Sequence, residues 1–457
     1  MSTLIRGGTV VTGSSDTVIE DGAVVIREGR IAGVLDRWNA DKEFDGDVID
    51  ASGCVVMPGL INIHSHGVTP GPLFPSAAPA LSTESWMGNL DRHLLSGTTT
   101  VLSLCGFASM DDVREADRRH AVHVRGATTH LPQCLQAAAM ADGRGLTVKS
   151  RELTVERMLE DGAVAIGELG GGQTLGGGGQ DLVYIPAAVH QASGILITID
   201  QARRIKEAVL GRFIDVGAFN LNALTEAAKE AGLAEALTAS QLAKIVTDSV
   251  MPSFVPAIEG IREGVQAAAK FGMPAIVHSA SATAGILREL MLQLDGSGAT
   301  VIAAHANHPS HTPEEAYQLA ALGRKIGWPA EASVFDLLHR KRTVTTREHW
   351  DLLLREPDLI SVIGTDYGHD GDHDELISAV QDIAAHGYRS LAGAVAMASS
   401  VAADLIPGVA PGSGRLEAGR VADVVVARAD DFRDVRFVLV DGVCVVRDGQ
   451  LAPEAHR

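Results

Sequence analysis

Pro58-Gly59-Leu60-Ile61-Asn62-Ile63-His64-Ser65-His66 decides the reading of this 457-residue chain. An apolar run opened by Pro-Gly reads as a buried strand. Side chains two apart on a strand share a face, so His64 and His66 point the same way where the run ends. Two imidazoles so spaced suit Zn²⁺ or a similar borderline cation. Taken alone, such a pair is more often two exposed histidines in a turn, so the rest of the chain has to decide.

Working outward, short apolar runs alternate with Ala-rich amphipathic stretches. The runs are 59–64, 98–104, 122–130, 164–168, 275–278, 301–305, 328–332 and 360–366. Several are nearly all apolar, as parallel strands covered on both faces must be. Eight strands separated by helices predict an α/β chain whose residues 59–404 form a (β/α)8 TIM barrel. The flanks have another texture. Residues 3–35 alternate short β-like runs with turns, and 421–427 and 435–446 read as strands around the hairpin signal Asp441-Gly442. The two termini, 1–58 and 405–457, are therefore expected to build one small β-sandwich domain between them.

One connection is too long for a single helix. Glu168 and His278 lie 110 positions apart. Residues 253–272 read as the expected helix, ending at Gly272 before Pro274, which leaves 173–252 as an insertion. It opens on four glycines, 176–179, read as a hinge because no Lys-Ser/Thr follows to make a phosphate loop. Helix-like stretches follow near 200–210, 219–232 and 239–250. An insertion after a barrel strand sits on the catalytic face, as a lid or as an oligomer contact.

The chemistry sits at the strand ends. The fourth run ends at Glu168, the fifth at His278, the sixth at His305, the eighth at Asp366 and the third at His130. One strand-end histidine is more often a satisfied core or surface group. Strand ends agreeing in chain order point instead to the barrel mouth, where such ends converge. Glu168, among glycines and aliphatics, would be costly to bury unless it were paired or on a metal. His308 and His311 after His305, and His369 and His373 after Asp366, are candidate substrate contacts or solvated loop residues.

These positions resemble the amidohydrolase superfamily. The 58–66 stretch looks like its signature, and 412–423 resembles the segment returning to its smaller domain. The resemblance implies two divalent ions, zinc before Fe, Mn or Co. His64 and His66 would hold the more buried one, His278 and His305 the second, and Glu168 would bridge them. Asp366 would contact the first metal and act as general acid/base. Many members bridge with a carboxylated lysine; Glu168 in its Gly-Glu-Leu-Gly setting resembles the enamidase-like branch, as do His130 and Ala304-His305-Ala306-Asn307. The implied reaction is hydrolysis of a C–N bond of a small cyclic amide, a lactam or imide-like ring, by a metal-bridging hydroxide with Asp366 as proton shuttle. A deaminase of a ring amidine, releasing ammonia, is the alternative. A relict, non-catalytic barrel would be expected to lack ligands, and the set is full.

Bulk properties narrow the partners. A net charge of −19 argues against nucleic acid or an anionic membrane. Cys54, Cys105, Cys134 and Cys444 form no CxxC pair and read as reduced thiols. Residues 1–13 carry no basic segment leading into a long apolar run, and no stretch nears the ~20 apolar residues of a membrane helix. A cytoplasmic enzyme of a small-molecule substrate is expected, assembled as a homo-oligomer, a dimer or tetramer.

Overall fold

Gly59 can only be glycine: a Cβ there would stand 2.2 Å from Thr99 Oγ1, so the strand that starts beside it packs against its neighbour without a gap. The computed structural model describes residues 2–14, 16–39, 43–171, 174–175, 180–334, 347–366 and 375–457. Five strands open the chain: β1 (Ser2–Val11), β2 (Val18–Arg27), β3 (Arg30–Leu35), β4 (Asp47–Asp50) and β5 (Cys54–Pro58). Eight follow: β6 (Leu60–Ser65), β7 (Thr98–Ser103), β8 (His123–Thr128), β9 (Ala165–Leu169), β10 (Ala275–His278), β11 (Val301–Ala304), β12 (Glu331–Ser333) and β13 (Val362–Gly364). Four close it: β14 (Val424–Arg428), β15 (Val435–Val440), β16 (Val443–Arg447) and β17 (Gln450–Leu451).

The middle eight are parallel. β6 to β11 form a six-stranded sheet in chain order, and β12 pairs with β13 in a second, two-stranded one. Every residue of β6, β7, β9, β10 and β11 is buried, which explains their lack of alternation. The two sheets are tied at both ends. Ala303 N–H donates to the Pro329 carbonyl at 3.0 Å, and Asp366 N–H to the His64 carbonyl at 3.0 Å. Asn62, fully buried, adds a side-chain clasp. Its Nδ2 donates to Thr365 Oγ1 at 2.7 Å and its Oδ1 accepts from Thr365 N–H at 3.1 Å.

The termini differ from the expected sandwich of two sheets. Pairing joins them into one nine-stranded sheet, β17-β16-β15-β14-β5-β1-β2-β3 with β4 beside β1. Ile5, Val24, Ile31, Val56, Val424 and Leu439 nonetheless share one apolar cluster, so the two ends of the sheet cover the same core. Alternation reports which face of a strand is buried, not whether two halves stay hydrogen-bonded through a common strand, here β5 against β1 and β14.

The second difference concerns the helix expected over 253–272. A single 33-residue helix, Ala239–Phe271, runs from the Thr238/Gln241 capping box to Gly272 in the left-handed region at φ 64°. Pro252 and Pro256 lie inside it. Proline disfavours helix interiors by removing a donor, so the sequence reads a break where the structure has none. The remaining helices of the segment, Ile185–Ser193, Ile199–Leu210 and Leu221–Glu230, pack with the first half of this helix into their own core around Ile205, Leu224, Leu233 and Val246. The glycines at 176–179 lie outside the described residues. No helix among the described residues is long and apolar enough to cross a membrane.

Candidate metal centre

Six of the predicted side chains meet at the C-terminal ends of the parallel strands. His64 is the last residue but one of β6, with His66 just beyond the strand. Glu168 lies in β9, His278 ends β10, His305 follows β11 and Asp366 follows β13. His64, His66, Glu168, His278 and His305 are at most 4% exposed, so no bulk water satisfies them. His66 Nε2 stands 3.6 Å from Glu168 Oε2 and 3.3 Å from Asp366 Oδ1. His64 Nε2 is 3.5 Å from Asp366 Oδ1. His278 Nδ1 is 2.6 Å, and His305 Nε2 3.6 Å, from Glu168 Oε1. Ligands at ~2.0–2.1 Å from one tetrahedral cation lie about 3.3 Å apart, so most of these separations are those of a shared ion.

Within these six, three groupings have mutually close ligand atoms: His64/His66/Glu168, Glu168/His278/His305 and His64/His305/Asp366. A buried nitrogen without a hydrogen-bond partner marks the same spot, His64 Nε2. A buried polar atom is normally satisfied. For His64 the reason for the exception is visible: its Nδ1 lies 3.2 Å from Glu331 Oε2, which directs the Nε2 lone pair at the centre. The donor set therefore fits divalent cations.

The charges agree. Burial opposes ionisation of Glu168, but the charges and hydrogen bonds of His278, His305 and His64 outweigh it and hold the carboxyl well below its usual range. Burial likewise opposes the charge on Asp366, and His305, His66 and His64 bring it down to about 2. Both carboxyls are ionised at neutral pH. His305 and Asp366 have φ of 57° and 55°, left-handed values that non-glycine residues adopt at a cost and that recur at functional sites.

His130 makes none of these contacts among the described residues. It is buried two residues past β8, its Nδ1 3.0 Å from Thr128 Oγ1, its ring edge-on to Phe107 and its Nε2 unpartnered. Burial pushes it down to about 4, so it is neutral. His308 and His311 are buried rather than solvated. His369 and His373 lie outside the described residues.

Sequence reasoning missed Glu331. It is fully buried on β12, its Oε2 bound to His64 Nδ1 and to the His305 N–H at 3.0 Å, so one carboxylate orients two of the six. Gly364 makes room for it: a Cβ there would come 2.7 Å from both Glu331 Oε1 and His64 Cβ. Glu331→Gln is expected to weaken metal retention by about 10- to 100-fold, read by titrating the purified protein with a competing chelator. Unaltered retention would remove Glu331 from this role.

Comparisons with known proteins bear on the fold and the family. L-hydantoinase (dihydropyrimidinase) from Arthrobacter aurescens is similar in structure, with a TM-score of 0.58, 14% identity, and 98% of this chain and 97% of that one covered. The β-aspartyl dipeptidase of Fervidobacterium islandicum AW-1 has a TM-score of 0.56 at 14% identity, covering 99% and 98%. At such identity these likenesses concern the fold alone. In sequence, 94 residues are 36% identical to a 5-methylthioadenosine/S-adenosylhomocysteine deaminase from Acetivibrio thermocellus, 20% of this chain and 21% of that protein. Over 105 residues the chain is 34% identical to a D-hydantoinase from Geobacillus stearothermophilus, 23% of this chain and 20% of that protein. The chain thus matches about a fifth of the length of these relatives. The amidohydrolase family matches residues 55–445, from β5 to β16 and across all six side chains, and the chain belongs to that family.

Proposed function

We propose that this chain hydrolyses a C–N bond of a small cyclic amide, a lactam or imide-like ring, using two divalent cations. The observation that carries this reading is the position of Glu168. Its Oε2 faces His66 and its Oε1 faces His278 and His305, so one carboxylate belongs to both triads, His64/His66/Glu168 and Glu168/His278/His305. The cations, zinc before Fe, Mn or Co, supply Lewis-acid activation of water and of the amide carbonyl when bound. Asp366 is the one member of the six with appreciable exposure, its side chain 22% accessible, so it can reach both the interior and a substrate. Its carboxylate takes the proton of the attacking water and delivers it to the ring nitrogen, which would otherwise leave as a poor anion. His130, neutral and with Nε2 unpartnered, is a further substrate contact in this reading.

In the same reading the eight parallel strands act as one closed (β/α)8 barrel over 59–404, with 1–58 and 405–457 as the second domain. The 173–252 segment serves as a lid. Arg212 supports that choice: it donates to the Ser310 carbonyl at 2.8 Å and pairs with Glu315, reaching the loop that follows the His305 strand. The enzyme is cytoplasmic and homo-oligomeric, a dimer or tetramer, and the exposed Phe213, Val216, Phe219 and Leu221 of the segment suit a contact between copies.

A second reading, deamination of a ring amidine, draws on the short alignment with the deaminase. The test is a panel of hydantoins, dihydropyrimidines and adenosine derivatives, with metal counted per chain. Ring opening without ammonia and about two cations per chain is the expected result. Ammonia release with a single cation would transfer the chain to the second reading.

A further inference from the structure

The loop after β11 turns back onto the histidine cluster. His308 is 8% exposed, its ring centroid 5.2 Å from that of His278 and 6.0 Å from that of His305. Its Nδ1 accepts the Ser310 N–H at 3.1 Å and lies 2.8 Å from Ser310 Oγ. A backbone N–H can only donate, so Nδ1 carries a lone pair and the single imidazole proton sits on Nε2. That Nε2–H points away from the Ser310 that Nδ1 binds. Ser310 is itself fixed. Its Oγ accepts from Ser281 N–H at 2.9 Å, its carbonyl accepts from Arg212 at 2.8 Å, and Ser281 Oγ donates to the Arg212 carbonyl at 2.7 Å. Arg212 belongs to the inserted segment, two residues past the helix Ile199–Leu210.

We propose that His308 is a substrate-binding residue whose fixed Nε2–H donates to a ring carbonyl other than the one cleaved, and that Arg212 is a positioning residue acting on it through Ser310. The choice of acceptor rests on the cyclic-amide reading above. A lactam's one carbonyl is engaged by the cations, so a separate neutral donor has nothing to bind in it. An imide-like ring has a second carbonyl for that donor, and the site would prefer two-carbonyl rings.

The test compares His308→Ala, His308→Gln and Arg212→Ala with the wild-type holoenzyme on a hydantoin and on a lactam of similar size. With metal content unchanged, His308→Ala should raise KM for the hydantoin about tenfold, the worth of one good hydrogen bond. It should change kcat less than about threefold and leave the lactam KM as it was. Glutamine, whose side-chain N–H reaches a similar position, should restore most of the loss, and Arg212→Ala should give a smaller rise. A merely structural role would disturb metal content and both rings alike. Equal effects on both rings, or a glutamine variant no better than alanine, would overturn the proposal. If the wild type opens neither ring, the cyclic-amide reading fails by itself. Nitrogen NMR of ¹⁵N-histidine-labelled protein then still reads the tautomer: an Nε2–H form is expected, kept in Ser310→Ala because the backbone N–H of residue 310 still donates to Nδ1, and an Nδ1–H form in the wild type would sink the proposal.

Discussion

Asp366→Asn will lower kcat by about 10²- to 10⁴-fold, the usual contribution of a positioned acid/base, while most of the bound metal remains. Asparagine keeps an oxygen where Oδ1 faces His64 and His66, and it keeps the N–H that donates to the His64 carbonyl at 3.0 Å. What it loses is the ability to accept a proton and return it to the leaving nitrogen. Steady-state kinetics beside metal analysis on the same preparation would check this. A variant with near wild-type kcat would rule Asp366 out as the shuttle, and one stripped of metal would make it a ligand first.

Glu168→Ala should be harsher, costing at least one cation per chain and with it turnover. Alanine removes both oxygens at once, and Oε1 and Oε2 serve different triads. It also leaves His278 Nδ1 without its 2.6 Å partner in a site closed to water, the costly half of breaking a buried pair. Metal per chain, measured after exhaustive dialysis, decides the matter; full occupancy would refute the bridge.

The six candidates were legible because each follows an apolar run, His64 and His66 sharing one, and a run that stops at a histidine or carboxylate can be seen one strand at a time. Glu331 gave no such signal. The run 328–332 reads as a strand, but Glu331 stands inside it rather than at its end, where the other candidates lie. Its role depends on His64, 267 positions away. The same holds for Asn62, legible only as a polar residue inside an apolar strand, whose work is to bind Thr365 at the far end of the parallel set. Alternation marked the terminal strands but not the continuous pairing through β5, because pairing is a relation between segments. Pro252 and Pro256 misled for the opposite reason. Their local preference is real, but tertiary packing of Val246, Val250, Ala257 and Ile261 on either side of them overrides it.

That uninterrupted helix has a mechanical consequence. At 1.5 Å per residue its 33 residues make a rod of about 50 Å. One end is embedded in the core of the inserted segment, and the other stops at Gly272, three residues before the strand that carries His278. Tilting the inserted helices as a body therefore drags on that histidine unless the rod bends. The weakest points for bending are the two prolines, where the ladder lacks a donor. If the lid proposed for 173–252 opens, a straight rod would carry that tilt to His278, and a bend at Pro252 or Pro256 would uncouple the two.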